Sequence, residues 1–489
     1  MIRRYAGFWC FAVFPAIAIA QTTLEFSAPI DVADGTQYGY IYPRIALMAP
    51  ATPVVMWARF GATNEIYAAR LDAGQFTSPV RISPPGIDVM HMPGEYAGIA
   101  ANGMLVVVAY STMPFNTAKV YFQKSTDGGN TFGDTVRVAS PGNEPPYTAS
   151  VELIHGVNPI VAYEKAFPSL ANPRQAVRVS KDGGASFGSE IVVSIASGQP
   201  CECCPPDLAT QGDRVVVAYR NNAGNIRDIH ATLSSDAGAT FPTVYRVDNS
   251  NWNYPSCPVS APSVFIDGDW LMTAWMTGIS SGTRIGFSAF DLVAKQLTVE
   301  HLLDDIMPAI LRQSNPAIAG NRDTLAVVWS ENRNDAGDIF ISYSDKGALA
   351  MSTGITVNAD ALTGNQRLPD VAFGGGMFHI VYQDDQSKTI RYRTARVVKA
   401  TGSASLPQQN GLVIGPSPAD GFLLIHLHEN GVDAIIEVFD AGGRLFHSGR
   451  FNGGAAFTMD TSTWPAGTYT LKLSTGDRQP VTRVFTVAH

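Results

Sequence analysis

Short apolar runs that close on an aromatic residue recur along the chain: VVMWA, LVVVAYS, PIVAYE, RVVVAYR, LMTAWM, AVVWS and HIVYQ. Runs of this length, rich in Val and aromatic residues and bounded by Gly, Pro, Asn and Asp, are strands rather than helices. Each is the second strand of a repeated unit. A first strand enters from a short segment that often carries proline, as in YPRIAL, NPAIAG and LPDVAF. After a variable loop, a third strand runs into a polar octet and a fourth leaves it, as in DTVRVAS and SEIVVS. The second strand occurs seven times, which predicts seven units.

The octets are STDGGNTF, SKDGGASF and SSDAGATF, with their aspartates at Asp127, Asp182 and Asp236, 55 and 54 residues apart. The same step reaches degraded versions around Asp72, Asp291 and Asp345. A period near 55 is too long for most solenoids and fits one four-stranded propeller blade. In this setting the octet is a hairpin staple. The aspartate accepts backbone N–H groups across the turn, the glycine supplies a positive φ, and the phenylalanine packs between sheets. The last unit lacks a fourth strand, and EFSAPIDV at residues 25–32 resembles QFTSPVRI at 75–82. Pairing the N-terminal strand into the last unit closes the ring and hides its edges. The predicted fold is all-β: a seven-bladed β-propeller over residues 21–400, followed by a small β-sandwich.

Composition agrees. In 489 residues only 16% are charged, with 45 glycines and 31 prolines. The net charge of −8 and the lack of a basic stripe argue against a nucleic-acid partner. Residues 1–20 read as a secretory signal peptide, with Arg3 and Arg4 ahead of an apolar stretch and Ala18-Ile19-Ala20 before Gln21. Its removal brings the net charge to about −10. No other stretch suggests a transmembrane helix, so the mature chain is expected to be exported.

The three octets resemble the Asp-box repeats of the sialidase and BNR-repeat superfamily. That resemblance implies the propeller and a structural role for Asp127, Asp182 and Asp236. For a true sialidase it also implies three arginines gripping a carboxylate, a Tyr–Glu nucleophile pair, an Asp acid/base and an Arg-Ile-Pro signature. The nearest match to that signature is Tyr42-Pro43-Arg44-Ile45, with the proline on the other side, and seven units stand against the sialidase six.

Propeller ligands sit where the segments before first strands and after second strands gather. Those segments carry Glu95, Glu144, Tyr254, Arg312 and Arg367 besides cysteines in the first group, and Glu164, Lys165, Arg220, Asn221, Asn222, Arg227, Asp228, Glu331, Arg333, Asp384 and Asp385 in the second. The arginines suit a carboxylate or sulfate, and acids beside them suit glycoside cleavage. The ligand-binding candidates are Arg220, Arg227, Asp228, Arg312, Glu331, Arg333 and Arg367. No catalytic residue is assigned.

Cys201, Cys203, Cys204 and Cys257 form the sharpest anomaly, in SGQPCECCPPDL and in the matching register one unit later. Three readings stand open: disulfides with Cys201–Cys257 as a cross-blade staple, a copper or zinc site of four thiolates, or free thiols. No cofactor is otherwise expected.

From residue 401 the pattern changes. A small polar linker at 401–407 leads to short alternating strands over 408–489, which predict a β-sandwich. Pro416-Ser417-Pro418, IEVFDAGGRLFHSG and WPAGTYTLKL resemble the C-terminal sorting domain of type IX secretion (Por system) cargo. The resemblance implies that machinery as a partner, and a secreted or outer-membrane-surface location in a Gram-negative bacterium. The expected function is binding of an extracellular glycan or other polymer on the loop face. The alternatives are a sialidase-like or other glycoside hydrolase working near the propeller axis and, third, a metal-binding protein.

Overall fold

The computed structural model describes residues 22–399 except 91–96, 195–198, 280–281, 304–310, 322, 335, 346–350 and 359–362. In the C-terminal part it describes 412–415, 419, 422–427, 433–452, 456–475 and 480–487. The leader at 1–20, Glu95, the linker at 401–407 and Pro416-Ser417-Pro418 lie outside the described residues. The chain divides into two compact units, Met1–Ala400 and Thr401–His489.

The first unit is all-β apart from single helical turns at Gly35–Tyr38 and Phe115–Thr117. Its strands form antiparallel sheets in chain order, six of them built from consecutive strands. Sheet one starts with Ile41–Met48, sheet two with Gly98–Asn102, sheet three with Pro146–Ile154 and sheet four with Asp207–Gln211. Sheets five, six and seven start with Ser263–Asp267, Gln313–Gly320 and Gln366–Gly374. Each first strand packs against the first strand of the next sheet, and Gln366–Gly374 packs against Ile41–Met48, so the circle closes. This is a β-propeller arrangement.

The N-terminal strand lies where the repeat requires it. Thr22–Phe26 pairs with Thr389–Lys399, with Phe26 opposite Ala395, and Ile30 stands opposite Tyr392. Alternation along the second strands explains the core: in Leu105–Ser111, Val107 and Ala109 face one neighbour while Val106, Val108 and Tyr110 face the other. Apolar clusters therefore fill the gaps between sheets, because a strand covered on both faces buries both its sets of side chains.

The three octets fold alike on the hairpins between third and fourth strands. Asp127 accepts the Thr131 N–H at 3.0 Å and the Thr131 and Ser125 hydroxyls at 2.6 Å each. Asp182 repeats this with Ser186 and Ser180, and Asp236 with Thr240 and Ser234. Gly184 has φ +85°, and a Cβ there would sit 2.5 Å from the Phe122 ring of the preceding sheet, so the fifth position needs glycine twice over. Phe132, Phe187 and Phe241 pack into the cores on either side.

These hydrogen bonds hold all three carboxyls below their usual range. The first cause is the Ser125 hydroxyl for Asp127, the Ser186 hydroxyl for Asp182 and the Ser234 hydroxyl for Asp236, and Asp127 and Asp236 come to about 2. A depressed folded-state pKa stabilises above the unfolded value and is lost as pH falls through the folded one. The melting temperature should therefore drop between pH 4 and pH 2. A D127N/D182N/D236N triple variant should melt lower at pH 7 and lose less over that interval. Equal slopes in calorimetry would refute the assignment.

The second unit contains a three-stranded sheet, in the order Leu412–Gly415, Phe422–Leu427, Ala456–Asp460, and a four-stranded one. In the latter the order is Leu445–Asn452, Asp433–Asp440, Gly467–Thr475, Val481–Val487. Leu423 and Ile425 of the first sheet share a core with Ile436, Val438, Leu471 and Phe485 of the second, closed by Trp464 and Tyr469. Among the described residues no helix is long and apolar enough to cross a membrane.

Candidate functional site

Two features flank the second strand of sheet three, one on each of its sides. The first is a cleft of about 600 Å³ between sheets two and three. The second strand of sheet three, Asn158–Lys165, supplies its wall. Alternation turns Tyr163 and Lys165 towards the cleft and Glu164 the opposite way. The Lys165 ammonium bridges two carboxylates, 2.7 Å from Glu190 and 3.3 Å from Glu144. Arg174 holds Glu144 at 2.7 Å, and the Tyr163 hydroxyl donates to Glu190 at 2.7 Å. Arg137 and Arg178 complete the charged lining, and Phe167 is an exposed apolar residue beside them. Burial alone would raise Glu190, yet hydrogen bonds from Lys165 and Tyr163 outweigh it and hold the carboxyl below its usual range. Burial pushes the Tyr163 phenol up.

Sequence reading found Glu144 and Lys165 but not Tyr163, Glu190, Arg137 or Arg178. Tyr163 reads as one more strand-ending aromatic. The period-two rule applied from Lys165 would have placed it on the cleft side. Glu190 and Arg178 flank an octet and carry no local sign of the neighbouring sheet.

The second feature lies on the Glu164 side of the same strand. Glu164 is buried, accepting the Tyr147 hydroxyl at 2.7 Å and the Gln175 amide at 3.1 Å. Beyond it sits the Cys-x-Cys-Cys turn, closed by the Cys204 N–H on the Cys201 carbonyl at 3.3 Å. The four sulfurs of Cys201, Cys203, Cys204 and Cys257 lie within 4.8 Å of one another. The disulfide joins Cys203 to Cys257, which corrects the expected Cys201–Cys257 pairing; Cys201 and Cys204 are buried thiols. Matching register does bring Cys201 within 3.9 Å of Cys257. The turn, however, points its sulfur to Cys204 at 3.3 Å and to the Arg227 guanidinium at 3.2 Å, so Cys203 faces Cys257 instead.

The seven ligand-binding candidates sit in or at the entries of sheets four, six and seven. Arg220 is fully buried and donates to the carbonyls of Ser260, Arg227 and Met276 at 3.2, 2.7 and 2.8 Å. Arg227, also buried, donates to the Tyr254 carbonyl at 3.0 Å and lies 3.6 Å from Glu202. Asp228 pairs with Arg246 and accepts the Trp252 N–H at 3.2 Å. Burial and then Asp248 raise its carboxyl, against Arg246. Glu331 is buried under Gln313 and Trp329, each at 2.9 Å, and bonds to Arg333, which stacks over Phe340 at 4.0 Å. Arg367 is exposed and pairs with Asp385 at 2.9 Å. Arg312 is exposed, its N–H on Asn332 at 2.7 Å. Arg220, Arg227 and Asp228 come together beside the cysteines, whereas Glu331 and Arg333 tie down sheet six.

Two cavities of about 20 Å³ each lie among the strand-entry prolines, including Pro43, Pro206, Pro262, Pro316 and Pro369. Arg44 pairs there with Asp370 at 3.4 Å, and burial pushes Asp207 up to about 6 and Glu152 to about 7. Such a cavity holds about one water and no sugar ring.

Residues 413–487 match the Secretion system C-terminal sorting domain family. No curated protein matches the chain. Solved structures with some likeness include the α-L-arabinofuranosidase Arb93A of Fusarium graminearum, at 13% identity and a TM-score of 0.45, covering 62% of this chain and 93% of that one. An α-L-arabinanase of Penicillium chrysogenum stands at 13% and 0.43, covering 77% and 98%. A PL25 ulvan lyase stands at 9% and 0.49, covering 75% and 95%. Likeness this slight says nothing about activity. The tail, by contrast, is a secretion sorting domain.

Proposed function

We propose that the chain is an exported, seven-bladed Asp-box propeller that binds an acidic saccharide segment of an extracellular polymer in the Tyr163–Lys165 cleft. The leader at residues 1–20 and the sorting tail, a β-sandwich, take it to the cell surface or beyond through type IX machinery. The observation that carries the binding reading is the cleft. Its volume suits a short oligosaccharide. Arg137, Lys165 and Arg178 outnumber Glu144 and Glu190, so a sugar carboxylate or sulfate gains charge-assisted hydrogen bonds there.

The hydrolase reading has a specific weakness in the same place. Glycoside cleavage needs one carboxyl that holds a proton for the leaving oxygen. Hydrogen bonds from Lys165 and Tyr163 hold the Glu190 carboxyl below its usual range, which suits an acceptor rather than a proton donor. Of the arginines expected to clasp substrate, Arg220 and Arg227 are committed to backbone carbonyls and Arg333 to the buried Glu331, whereas Arg312 and Arg367 lie exposed. Binding without turnover is the better account.

The test is a glycan array probed with the full chain, with a fluorogenic sialoside assay beside it. We expect retention of uronate- or sulfate-bearing glycans, no sialoside turnover, and at least tenfold weaker retention by K165M and by R178A. Turnover, or retention unchanged in both variants, would overturn the reading.

A further inference from the structure

The cysteine cluster does not take part in the cleft, and its geometry points to a separate role. We propose that Cys201, Cys203, Cys204 and Cys257, as thiolates, hold one thiophilic closed-shell cation, Zn²⁺ or Cu⁺, and that the Cys203–Cys257 disulfide is the state formed when the cation is missing. The proposal goes beyond the saccharide reading and does not depend on it.

The first argument is distance. Tetrahedral zinc with four thiolates at about 2.3 Å places sulfurs about 3.8 Å apart. Cys201 Sγ lies 3.3 Å from Cys204, 3.9 Å from Cys203 and 3.9 Å from Cys257. Two crosslinks would need only pairs of sulfurs to approach. Here one sulfur stands close to that spacing from two others and within 3.3 Å of the third, so all four converge on one place.

The second argument is the surroundings. Four thiolates around one such cation leave excess negative charge, which burial penalises unless it is offset. Arg227 donates to the Cys201 sulfur at 3.2 Å and is 2% exposed; Arg220, whose carbonyl receives the Cys201 N–H at 2.8 Å, is fully buried. The Val259 N–H donates to the Cys257 sulfur at 3.3 Å. Guanidinium and amide donors aimed at sulfur are the outer partners that orient and stabilise metal thiolates. A disulfide has no need of them.

The third argument is the framework. Cys201, Cys203 and Cys204 come from the entry to sheet four and Cys257 from the entry to sheet five, so one ion would clasp two adjacent sheets. Cysteines are synthesised as thiols, so loading needs no reductant. Four S–H protons leave to solvent as four metal–sulfur bonds form. Where the cation is missing, an oxidant such as dioxygen or a partner disulfide takes two electrons and two protons from the Cys203 and Cys257 thiols, one S–S bond forms between them, and the same sulfurs are lost to the metal.

The experiment uses residues 21–489, which leave out the fifth cysteine, Cys10 of the leader, made in reducing, zinc-replete medium and purified without air. Metal content is measured by plasma mass spectrometry and thiols by titration before and after chelation. Parallel arms reload the chelated protein with Zn²⁺, with Cu⁺ or with Co²⁺. One metal per chain is expected, with four thiols reactive only after chelation. Cobalt should give the intense visible bands of a tetrahedral thiolate site. C201S and C204S, which leave the Cys203–Cys257 pair intact, should each weaken metal binding at least tenfold while melting cooperatively. Zinc retention against copper retention tells the two cations apart. Metal-free protein with two thiols and one disulfide under these conditions would overturn the proposal, as would undiminished metal in the C201S/C204S double variant.

Discussion

Deleting residues 22–31 is expected to abolish cooperative folding of the first unit, although only ten residues are removed. Five of them pair with Thr389–Lys399, and Ile30 and Asp31 pair further along the same strand. Leu24 is buried against Val371 and Phe378, and Ile30 packs on Val381 and Ile390. The backbone of this segment also satisfies interior groups. Arg393 donates to the Ser27 carbonyl at 3.0 and 2.6 Å, and Tyr343 donates to the Thr22 carbonyl at 2.8 Å. Uncovering Leu24, Phe26 and Ile30 alone costs about 4–6 kcal/mol. That is comparable to the whole stability of an ordinary domain, roughly 5–15 kcal/mol. It also leaves a bare edge on sheet seven, open to pairing with other chains. We expect a broadened, lowered melt and concentration-dependent association. A synthetic peptide of residues 22–32, added in trans, should restore part of the transition. A truncated chain that melts sharply within a few degrees of the intact one would show that the seam does not hold the ring.

Replacing Arg220 with Met should destabilise the first unit by roughly 3–6 kcal/mol, because three buried carbonyls lose charged donors at once. Ser260 and Met276 belong to the stretch that enters and forms sheet five, and Arg227 to the loop of sheet four, so this side chain joins the two sheets. R220K should recover only a fraction, since one ammonium cannot reproduce the fork of the guanidinium. The control is R367A. Arg367 pairs with Asp385 at the surface, with side chains 47% and 25% exposed, and removing it should cost no more than about 1 kcal/mol. Urea unfolding monitored by tryptophan fluorescence checks both. Near-equal losses at positions 220 and 367 would refute the distinction between a buried tie and a solvated pair.

The fold was largely legible because repetition is a one-dimensional signal. The 55-residue step located the octets, and the missing fourth strand after Thr389–Lys399 pointed to EFSAPIDV. The candidate site was legible only in part. Glu144 and Lys165 could be assigned to the loop face by their place in the unit. That Glu190 meets the same ammonium could not, because it arrives from the outer edge of sheet three, 25 residues away. The register that brought Cys201 near Cys257 was readable too, but not which sulfur turns towards it.

The sequence by itself determined the strands, their grouping into repeated units, the hairpin staples at Asp127, Asp182 and Asp236, and the sorting tail. Each follows from short-range pattern: alternation, turn chemistry and spacing. The tertiary structure alone decided which polar side chains are spent on structure and which face an open cleft. Arg220 directly follows its strand-ending aromatic and Lys165 stands one residue further on, so alternation puts them on opposite sides of their strands without telling what lies there. One is buried under three carbonyls and the other bridges two carboxylates in a cavity. Arg220 meets carbonyls of the next sheet, 40 and 56 residues away, whereas Lys165 meets carboxylates from the entry and the outer edge of its own sheet, and neither set of partners is marked in the local sequence.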